Sequence, residues 1–283
     1  PLNTEVYRRP DAVAAPGEVA VDGSWCVVVQ GSGPILENAG RYLSSFLCQS
    51  MQLRELRGGG LPALLVRVDP HLSDQPEAHR VTVQPGRIEL VGADPAGALQ
   101  ACFHLVRQMK ERGGPFAPLG VQDRQPLFQH RIHRSALSPF YLDELTGLTG
   151  PPFDIASWGI DVDYPAYLEE DAGPQTYYHD NYLLRLAEHG YNGIWVRSCL
   201  RHFAKQSVFP EFGEHSDEIL ASLRDLCTRA NAQGMKVFCY IQEPLGSRTD
   251  HPFWQAHPEI KGCQTRVAPM YTMCTSLPEV RQY

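Results

Sequence analysis

The fold is decided by a stretch that alternates helical and strand patterns: YYHDNYLLRLAEHG (177–190), YNGIWVR (191–197), SDEILASLRDLCTRANAQ (216–233) and MKVFCYI (235–241). Apolar side chains recur at helical spacing in the first and third segments, and Gly190 and Gly234 follow them as helix stops. The second and fourth segments are short apolar runs, which are typical of strands buried on both faces. The order helix, strand, helix, strand predicts a parallel α/β unit.

A small α/β domain is predicted ahead of this stretch. Apolar runs and helical spacing give the order β-α-β-β-β-α over about residues 25–112. The first helix is expected over residues 35–52, and a hairpin turn over residues 84–86. For the second helix, Asp94 is a suitable N-cap and Pro95 suits the first helical position.

The Gly- and Pro-rich segment 113–126 is interpreted as a connector between domains. We therefore expect an N-terminal α/β domain over residues 1–124 and a second domain over residues 125–283. Three β/α units are present or begun in the second domain, starting near residues 128, 191 and 235. Because an open three-stranded parallel sheet would leave an exposed edge, we expect the first part of a (β/α)8 TIM barrel. The alternative is a sheet completed by a partner segment.

Composition limits the classes of function. The net charge of -7, from 25 basic and 32 acidic residues, argues against a nucleic-acid partner. No apolar run approaches the about 20 residues that a membrane span needs. The eight cysteines show no C-x-x-C spacing and mostly lie in apolar runs, so we interpret them as buried thiols of a reducing compartment. A cytoplasmic protein is expected, with secretion after removal of a leader as the alternative.

No cofactor or metal is expected from the motifs. Gly31 and Gly33 follow a strand, but Leu36 stands where a dinucleotide fingerprint needs its third glycine. His130 and His133 are three apart, and no HExxH motif accompanies them, which argues against zinc.

Two arginines stand out in FQHRIHRS (128–135), the predicted first strand of the second domain. Barrel strands are usually filled with aliphatic residues, so the charged groups of Arg131 and Arg134 need a polar partner. That partner is either a bound substrate or an acidic side chain in a structural ion pair. Because residues three apart point to opposite faces of a strand, at most one of the two is expected to reach the site.

Three further polar residues follow the other predicted strands. Arg197 ends the second strand, and Gln242 and Glu243 follow the third. In parallel α/β folds the functional groups gather at this carboxyl end of the strands. The predicted substrate-binding residues are therefore Arg131, Arg134, Arg197, Gln242 and Glu243. For Glu243 a salt bridge to Arg134 or Arg197 remains an alternative.

Several segments resemble glycoside hydrolases of the family 20 hexosaminidase and family 67 α-glucuronidase type, including bacterial relatives. They are IELVGADPAGALQA (88–101), LAEHGYNGIWV (186–196), GMKV (234–237) with QEP (242–244), and CTSLPEV (274–280). The resemblance implies a small α/β domain before a barrel and a first-strand arginine that holds sugar hydroxyls. It also implies a catalytic acid at the end of a fourth barrel strand, so the main acid is expected beyond Tyr283.

The leading hypothesis is a glycoside hydrolase that uses a carboxylate as general acid on a hexosaminide or glucuronide type of substrate. A non-catalytic carbohydrate-binding protein that keeps the barrel scaffold is the alternative, and a barrel enzyme of unrelated chemistry is a third interpretation. The expected partner is a glycan or glycoside, and self-association into a homo-oligomer is left open.

Overall fold

The structure is a computed structural model that describes residues 5–53, 62–134, 180–198, 203–213, 216–241, 249, 251–264 and 271–282. Its strands are β1 (Glu18–Ala20), β2 (Cys26–Val29), β3 (Ala63–Val68), β4 (His79–Gln84), β5 (Arg87–Gly92), β6 (Phe116–Pro118), β7 (Gly120–Arg124), β8 (Ile132–Arg134), β9 (Gly193–Ser198), β10 (Lys236–Ile241), β11 (Lys261–Gln264) and β12 (Tyr271–Met273). Its α-helices are α1 (Pro34–Ser45), α2 (Pro95–Arg112), α3 (Asp180–Glu188), α4 (Ser216–Ala232), α5 (Phe253–Ala256) and α6 (Pro278–Gln282).

The N-terminal sheet has five strands in the order β2-β3-β5-β4-β7. Strands β2, β3 and β5 are parallel, whereas β4 is antiparallel to both of its neighbours. The predicted hairpin between β4 and β5 is confirmed, and Gly86 takes the positive φ of 76° that its turn requires. Helices α1 and α2 pack on each other and on this sheet. The core between them is apolar and includes Leu36, Leu43, Leu64, Val66, Val81, Ile88, Leu90, Leu99, Phe103 and Val106.

Helix α2 begins and ends as the sequence predicts. The Asp94 side chain accepts a hydrogen bond of 2.7 Å from the backbone N–H of Gly97, which satisfies one of the free donors of the first turn. Pro95 occupies the first helical position, and Gly113 ends the helix with a φ of 70°. This helix is therefore fixed by local sequence at both ends.

Two segments differ from the prediction. The first helix was expected to reach residue 52, but α1 ends at Ser45 and continues as a π-helical turn over Phe46–Ser50. The carbonyl of Ser50 is then free to accept the backbone N–H groups of Tyr7 and Arg8 at 3.0 and 3.3 Å, so the turn anchors the N-terminal arm. The connector 113–126 contains strands β6 and β7, which pair with β1 and β4 at sheet edges, where Gly and Pro are tolerated.

The second sheet has the order β10-β9-β8, as the alternating pattern predicts. Strands β8 and β9 are parallel, with Ile132, His133 and Arg134 in register with Gly193, Ile194 and Trp195. The backbone N–H of Lys236 donates to the carbonyl of Asn192 at 3.0 Å, which brings the amino ends of β9 and β10 together. All three strands therefore run in one direction.

The chain divides into two compact units, and each is interrupted in sequence. The first comprises Pro1–Arg131, Asp180–Asn192 and Arg229–Lys236, and the second comprises Ile132–His179, Gly193–Thr228 and Val237–Tyr283. The first unit thus extends past residue 124 and includes α3. Its tertiary hydrogen bonds explain why: the side chains of Asn38 and Gln100 donate to the carbonyls of Ala232 and Ala187 at 2.6 and 3.3 Å.

No disulfide joins the seven cysteines that the structure describes. Of those expected to be buried, Cys26 and Cys102 are buried, but Cys48 and Cys227 are only half-buried and Cys239 is exposed, so the prediction is wrong for these three. Within the described ranges, no helix combines the length and the apolar content needed to cross a membrane.

Candidate active site

The carboxyl edge of the second sheet brings together two of the predicted site residues. Arg134 ends β8 and is in register with Trp195, and Arg197 lies two residues further along the neighbouring strand β9. Both arginines therefore occupy backbone positions at the same edge. Their side chains lie outside the described part of the structure, and so do Gln242 and Glu243, which follow β10.

One face of this sheet can be identified from Gly193. A Cβ atom at Gly193 would lie 2.5 Å from Cε2 of Phe238 and 3.4 Å from Cγ1 of Ile132. A side chain at position 193 would therefore displace the Phe238 ring, while Ile132 would be in ordinary van der Waals contact with it, so all three positions share one face. The opposite face of β10 carries Cys239, whose pKa is raised by partial desolvation and by the neighbouring Cys227 thiol of α4. The face of Ile132 and Phe238 thus points away from that helix.

A lobe with its own hydrophobic core follows this edge of the sheet. It is built from residues 203–213, which come after β9, and residues 251–264 and 271–282, which come after β10. Its buried side chains are Phe209, Phe212, Phe253, Trp254, Ile260, Met273 and Val280. Because both parts start at the carboxyl ends of their strands, the lobe belongs to the end of the sheet where parallel α/β folds place their sites.

Aromatic contacts and a side-chain hydrogen bond join the two parts of the lobe. The rings of Phe212 and Phe253 stack with their centroids 4.9 Å apart, and Phe209 meets Phe253 edge-on at 5.6 Å. Nε2 of His257 lies 2.5 Å from Oε1 of Glu211. This lobe was not predicted from the sequence. The pattern that could have indicated it is the close spacing of Phe209 and Phe212, and of Phe253 and Trp254, in two segments that each follow a strand.

Arg131 lies at the other end of the sheet, just before β8. Its Nε donates to the carbonyl of Gly190 at 2.5 Å and its Nη1 to the carbonyl of Phe128 at 2.7 Å. Its Nη2 forms an ion pair with Oε2 of Glu77. These contacts occupy the guanidinium group and match the structural alternative of the sequence analysis. The structure therefore does not bring Arg131 together with Arg134 and Arg197.

Glu77 is the centre of this network at the amino ends of β8 and β9. Its Oε1 accepts a hydrogen bond of 2.6 Å from Nδ2 of Asn192, and its backbone N–H donates to Oδ2 of Asp94 at 3.0 Å. Oδ1 of Asn192 in turn accepts from the backbone N–H of Arg131 at 2.8 Å. Both oxygens of this mostly buried carboxylate therefore have a polar partner, as a buried polar group requires. The network lies within the first compact unit and includes Arg131 and Asn192, the residues directly before β8 and β9 in the chain.

Across the ranges that the structure describes, no three His, Cys, Asp or Glu side chains lie close enough to hold a metal ion.

Comparison with known proteins gives a result for the fold alone. No protein-family model and no curated protein matches the sequence. Among solved structures, the chain is similar to the chitobiase of Flavobacterium johnsoniae, with a TM-score of 0.57, 14% identity, and coverage of 99% of this chain and 41% of that one. It is also similar to the family 20 β-N-acetylhexosaminidase of Streptomyces coelicolor, with a TM-score of 0.54, 14% identity, and coverage of 100% and 56%.

A third similar structure is a family 138 enzyme that targets pectin rhamnogalacturonan II, with a TM-score of 0.55, 16% identity, and coverage of 82% of this chain and 25% of that one. The chain has a glycoside-hydrolase-like fold. It spans between one quarter and just over one half of the length of these three enzymes. The expected resemblance to glycoside hydrolases and the mixed α/β class are thus confirmed at the level of the fold.

Proposed function

We propose that this chain belongs to a glycoside hydrolase whose substrate site lies at the carboxyl edge of β8, β9 and β10. The observation that carries the proposal is the parallel register that puts Arg134 and Arg197 at one edge, in a fold shared with glycoside hydrolases. In the proposed architecture, these three strands are the first three of a (β/α)8 barrel, and the N-terminal α/β domain precedes them.

Strand alternation supports a joint role for the two arginines. Position 134 alternates with Ile132 on β8, and position 197 alternates with Gly193 on β9, so both fall on the face that points away from α4. In a barrel that face lines the interior. A guanidinium group offers five donors in a rigid fork, which suits neighbouring sugar hydroxyls or a carboxylate. We propose that Arg134 and Arg197 hold the sugar ring.

Gln242 and Glu243 are proposed to complete the substrate-binding set. A carboxylate at Glu243 would accept hydrogen bonds from sugar hydroxyls and would stabilise positive charge that develops on the ring during cleavage. The reaction would need a carboxylic acid that protonates the leaving oxygen. None of the residues named here is assigned to that role.

The proposed substrate is a hexosaminide or a glucuronide. Similarity to a chitobiase and a β-N-acetylhexosaminidase favours the first, and in that case the acetamido group of the substrate is proposed as the nucleophile. Paired arginines favour the second, because they can bind the carboxylate of a uronic acid bidentately. A carbohydrate-binding protein without catalysis is the second candidate function, since a fold alone does not fix function.

Turnover of aryl glycosides by the full-length protein tests the proposal. The panel contains N-acetylhexosaminides, glucuronides and neutral hexosides. We expect cleavage in one of the first two classes and a fall of about tenfold or more in kcat/KM for Arg197→Lys, because lysine cannot donate as a planar fork. Arg224→Lys, at an exposed position of α4, is the matched control and should leave kcat/KM unchanged.

The outcomes separate the alternatives. Binding of a glycan without turnover would support the carbohydrate-binding protein, and absence of both would overturn the proposal. If the kcat/KM values of Arg197→Lys and of the control are equal, the proposal of a hydrolase stands but Arg197 does not bind the substrate.

A further inference from the structure

Two histidines and two glutamines form a cluster between α2 and the edge of the N-terminal sheet. His79 comes from β4, His104 and Gln108 from α2, and Gln122 from β7. The two imidazole rings meet edge-on with their centroids 5.5 Å apart. Among the polar atoms that are buried without a hydrogen-bond partner in the described residues are Nε2 of His79 and Nδ1 of His104.

The hydrogen-bond partners indicate which nitrogen of each ring carries a proton. Nδ1 of His79 lies 3.3 Å from the carbonyl of Glu77, which can only accept, so the proton of this ring is on Nδ1. Nε2 of Gln108 lies 3.3 Å from Nε2 of His104 and 2.7 Å from Oε1 of Gln122, and an amide NH2 donates to both. His104 therefore accepts at Nε2. A second proton on either ring would create a buried charge.

The surrounding charges also oppose protonation. The pKa of His104 is lowered to about 4, mainly by burial, with the ring of His79, Arg124 of β7 and Arg107 of α2 also lowering it and Gln122 acting in the opposite direction. Burial is also the main cause of the lowered pKa of His79, with Arg124 and Arg107 adding to it. The Glu77 carbonyl and Asp123 of β7 act in the opposite direction on His79. Asp123 is already paired with Arg80 at 2.7 Å.

The cluster contacts the hydrogen-bond network of Glu77, Arg131 and Asn192. His79 holds the carbonyl of Glu77, and Glu77 has a φ of 62°, a left-handed conformation that is unfavourable for a residue with a side chain. That conformation persists because Asp94, Asn192 and Arg131 engage the backbone N–H and the carboxylate. Movement of β4 near His79 would therefore disturb the contacts of Arg131 and Asn192.

We propose that the His79–His104 pair is an acid-sensitive lock, which keeps the edge of the N-terminal sheet closed at neutral pH and, when protonated, opens that edge and releases the contacts of Glu77 with Arg131 and Asn192. The proton taken up comes from solvent, and no covalent step is involved. The device would make opening of this part of the first unit more frequent as the pH falls.

The sign of the pH effect follows from the direction of the shift. Because the pKa of His104 is lower in the folded protein than the about 6.5 of an unfolded chain, the unfolded state binds more protons as the pH falls. The contribution of a neutral His104 to the free energy of unfolding is fully present above about pH 6.5 and is lost as the pH falls toward 4. For His104 alone, the unfolding constant should increase about 20-fold between pH 7 and pH 5.

Urea unfolding of the full chain at pH 7 and pH 5 tests the lock. We expect His104→Gln to remove most of that 20-fold increase, while the exposed control His71→Gln retains it. Hydrogen exchange, expressed as protection factors, should show that the amides of Arg131 and Asn192 lose protection at pH 5 in the wild type but keep it in His104→Gln.

Three results would overturn the proposal. They are an unchanged pH response in His104→Gln, loss of the response in His71→Gln, and undiminished protection of the Arg131 and Asn192 amides at pH 5. If His104→Gln does not fold, NMR titration of the wild-type ring replaces it. A His104 ring that stays neutral at pH 5 supports the lock, and one that titrates near pH 6.5 refutes it.

Discussion

Glu77 is held in a left-handed backbone conformation while both of its carboxylate oxygens are engaged. The side chains of Glu77 and Arg131 are only 11% and 21% exposed. For a pair this buried, removal of one charge leaves the other without compensation, which costs more than the pair itself contributes.

We predict that Glu77→Gln lowers the free energy of unfolding by about 3 kcal/mol, because the Arg131 guanidinium loses its counter-charge in a poorly hydrated place. Asp123→Asn is the matched control. It breaks the ion pair of Asp123 with Arg80, whose side chains are 60% and 43% exposed, and should cost less than about 1 kcal/mol. Urea unfolding at pH 7 measures both. Equal effects of the two substitutions would contradict a buried anchor.

The sequence identified Arg131 and Arg134 as an unusual pair but could not assign their separate environments. Strand alternation predicted that at most one would reach the site, and this reasoning needed only local spacing. The choice between them depends on Glu77, which is 54 positions earlier in the chain. A partner at that separation leaves no local pattern, so only the folded chain shows which arginine is engaged.

At the scale of the element, the lobe is a separate structural feature with its own aromatic core. We predict that Phe212→Ala opens the lobe, because loss of a buried phenylalanine costs about 3–5 kcal/mol. Hydrogen exchange should increase in residues 251–264 and 271–282 and stay unchanged in β3 and β5, whose core is distinct. Phe128→Ala, at a position that is 71% exposed, is the control and should leave exchange in the lobe unchanged.

Elements with strong local signals were predicted well. Helix α2 has its N-cap, its proline and its terminal glycine within the segment that forms it, so its limits could be read from the sequence. Strands β6 and β7 lack such signals, because glycine and proline are allowed at sheet edges. The end of α1 was missed for a different reason: its π-helical turn is stabilised by the N-terminal arm, which is distant in sequence.

At the scale of the whole molecule, the N-terminal domain is joined to segments that the sequence assigns to the second domain. Lys110 of α2 forms an ion pair with Glu188 of α3, and the side chain of Arg107 donates to the Glu188 carbonyl at 3.2 Å. Composition marks a boundary only where the chain is rich in Gly and Pro. It therefore cannot show that residues 180–192 and 229–236 return to the first unit.

We predict that a fragment of residues 1–124 is less stable than the same residues in the full chain. The helices α1 and α2 would lose their contacts with α3 and with the end of α4, and Glu77 would lose both Arg131 and Asn192. A decrease of Tm by more than about 5 °C is expected for a loss of about 1 kcal/mol or more. Calorimetry of the fragment and the full chain measures it, and equal Tm values would show an independent domain.

Asn192 is followed by Gly193, which makes it a candidate for slow deamidation. An asparagine followed by glycine loses its side-chain amide readily in a flexible chain, because the next backbone nitrogen can attack the side-chain carbonyl. Here that nitrogen belongs to the first residue of β9, and the amide is held by Arg131, Glu77 and the carbonyl of Gln129. Each unfolding event removes this protection, and the aspartate product would face the Glu77 carboxylate. The storage life of the protein should therefore follow its unfolding rate.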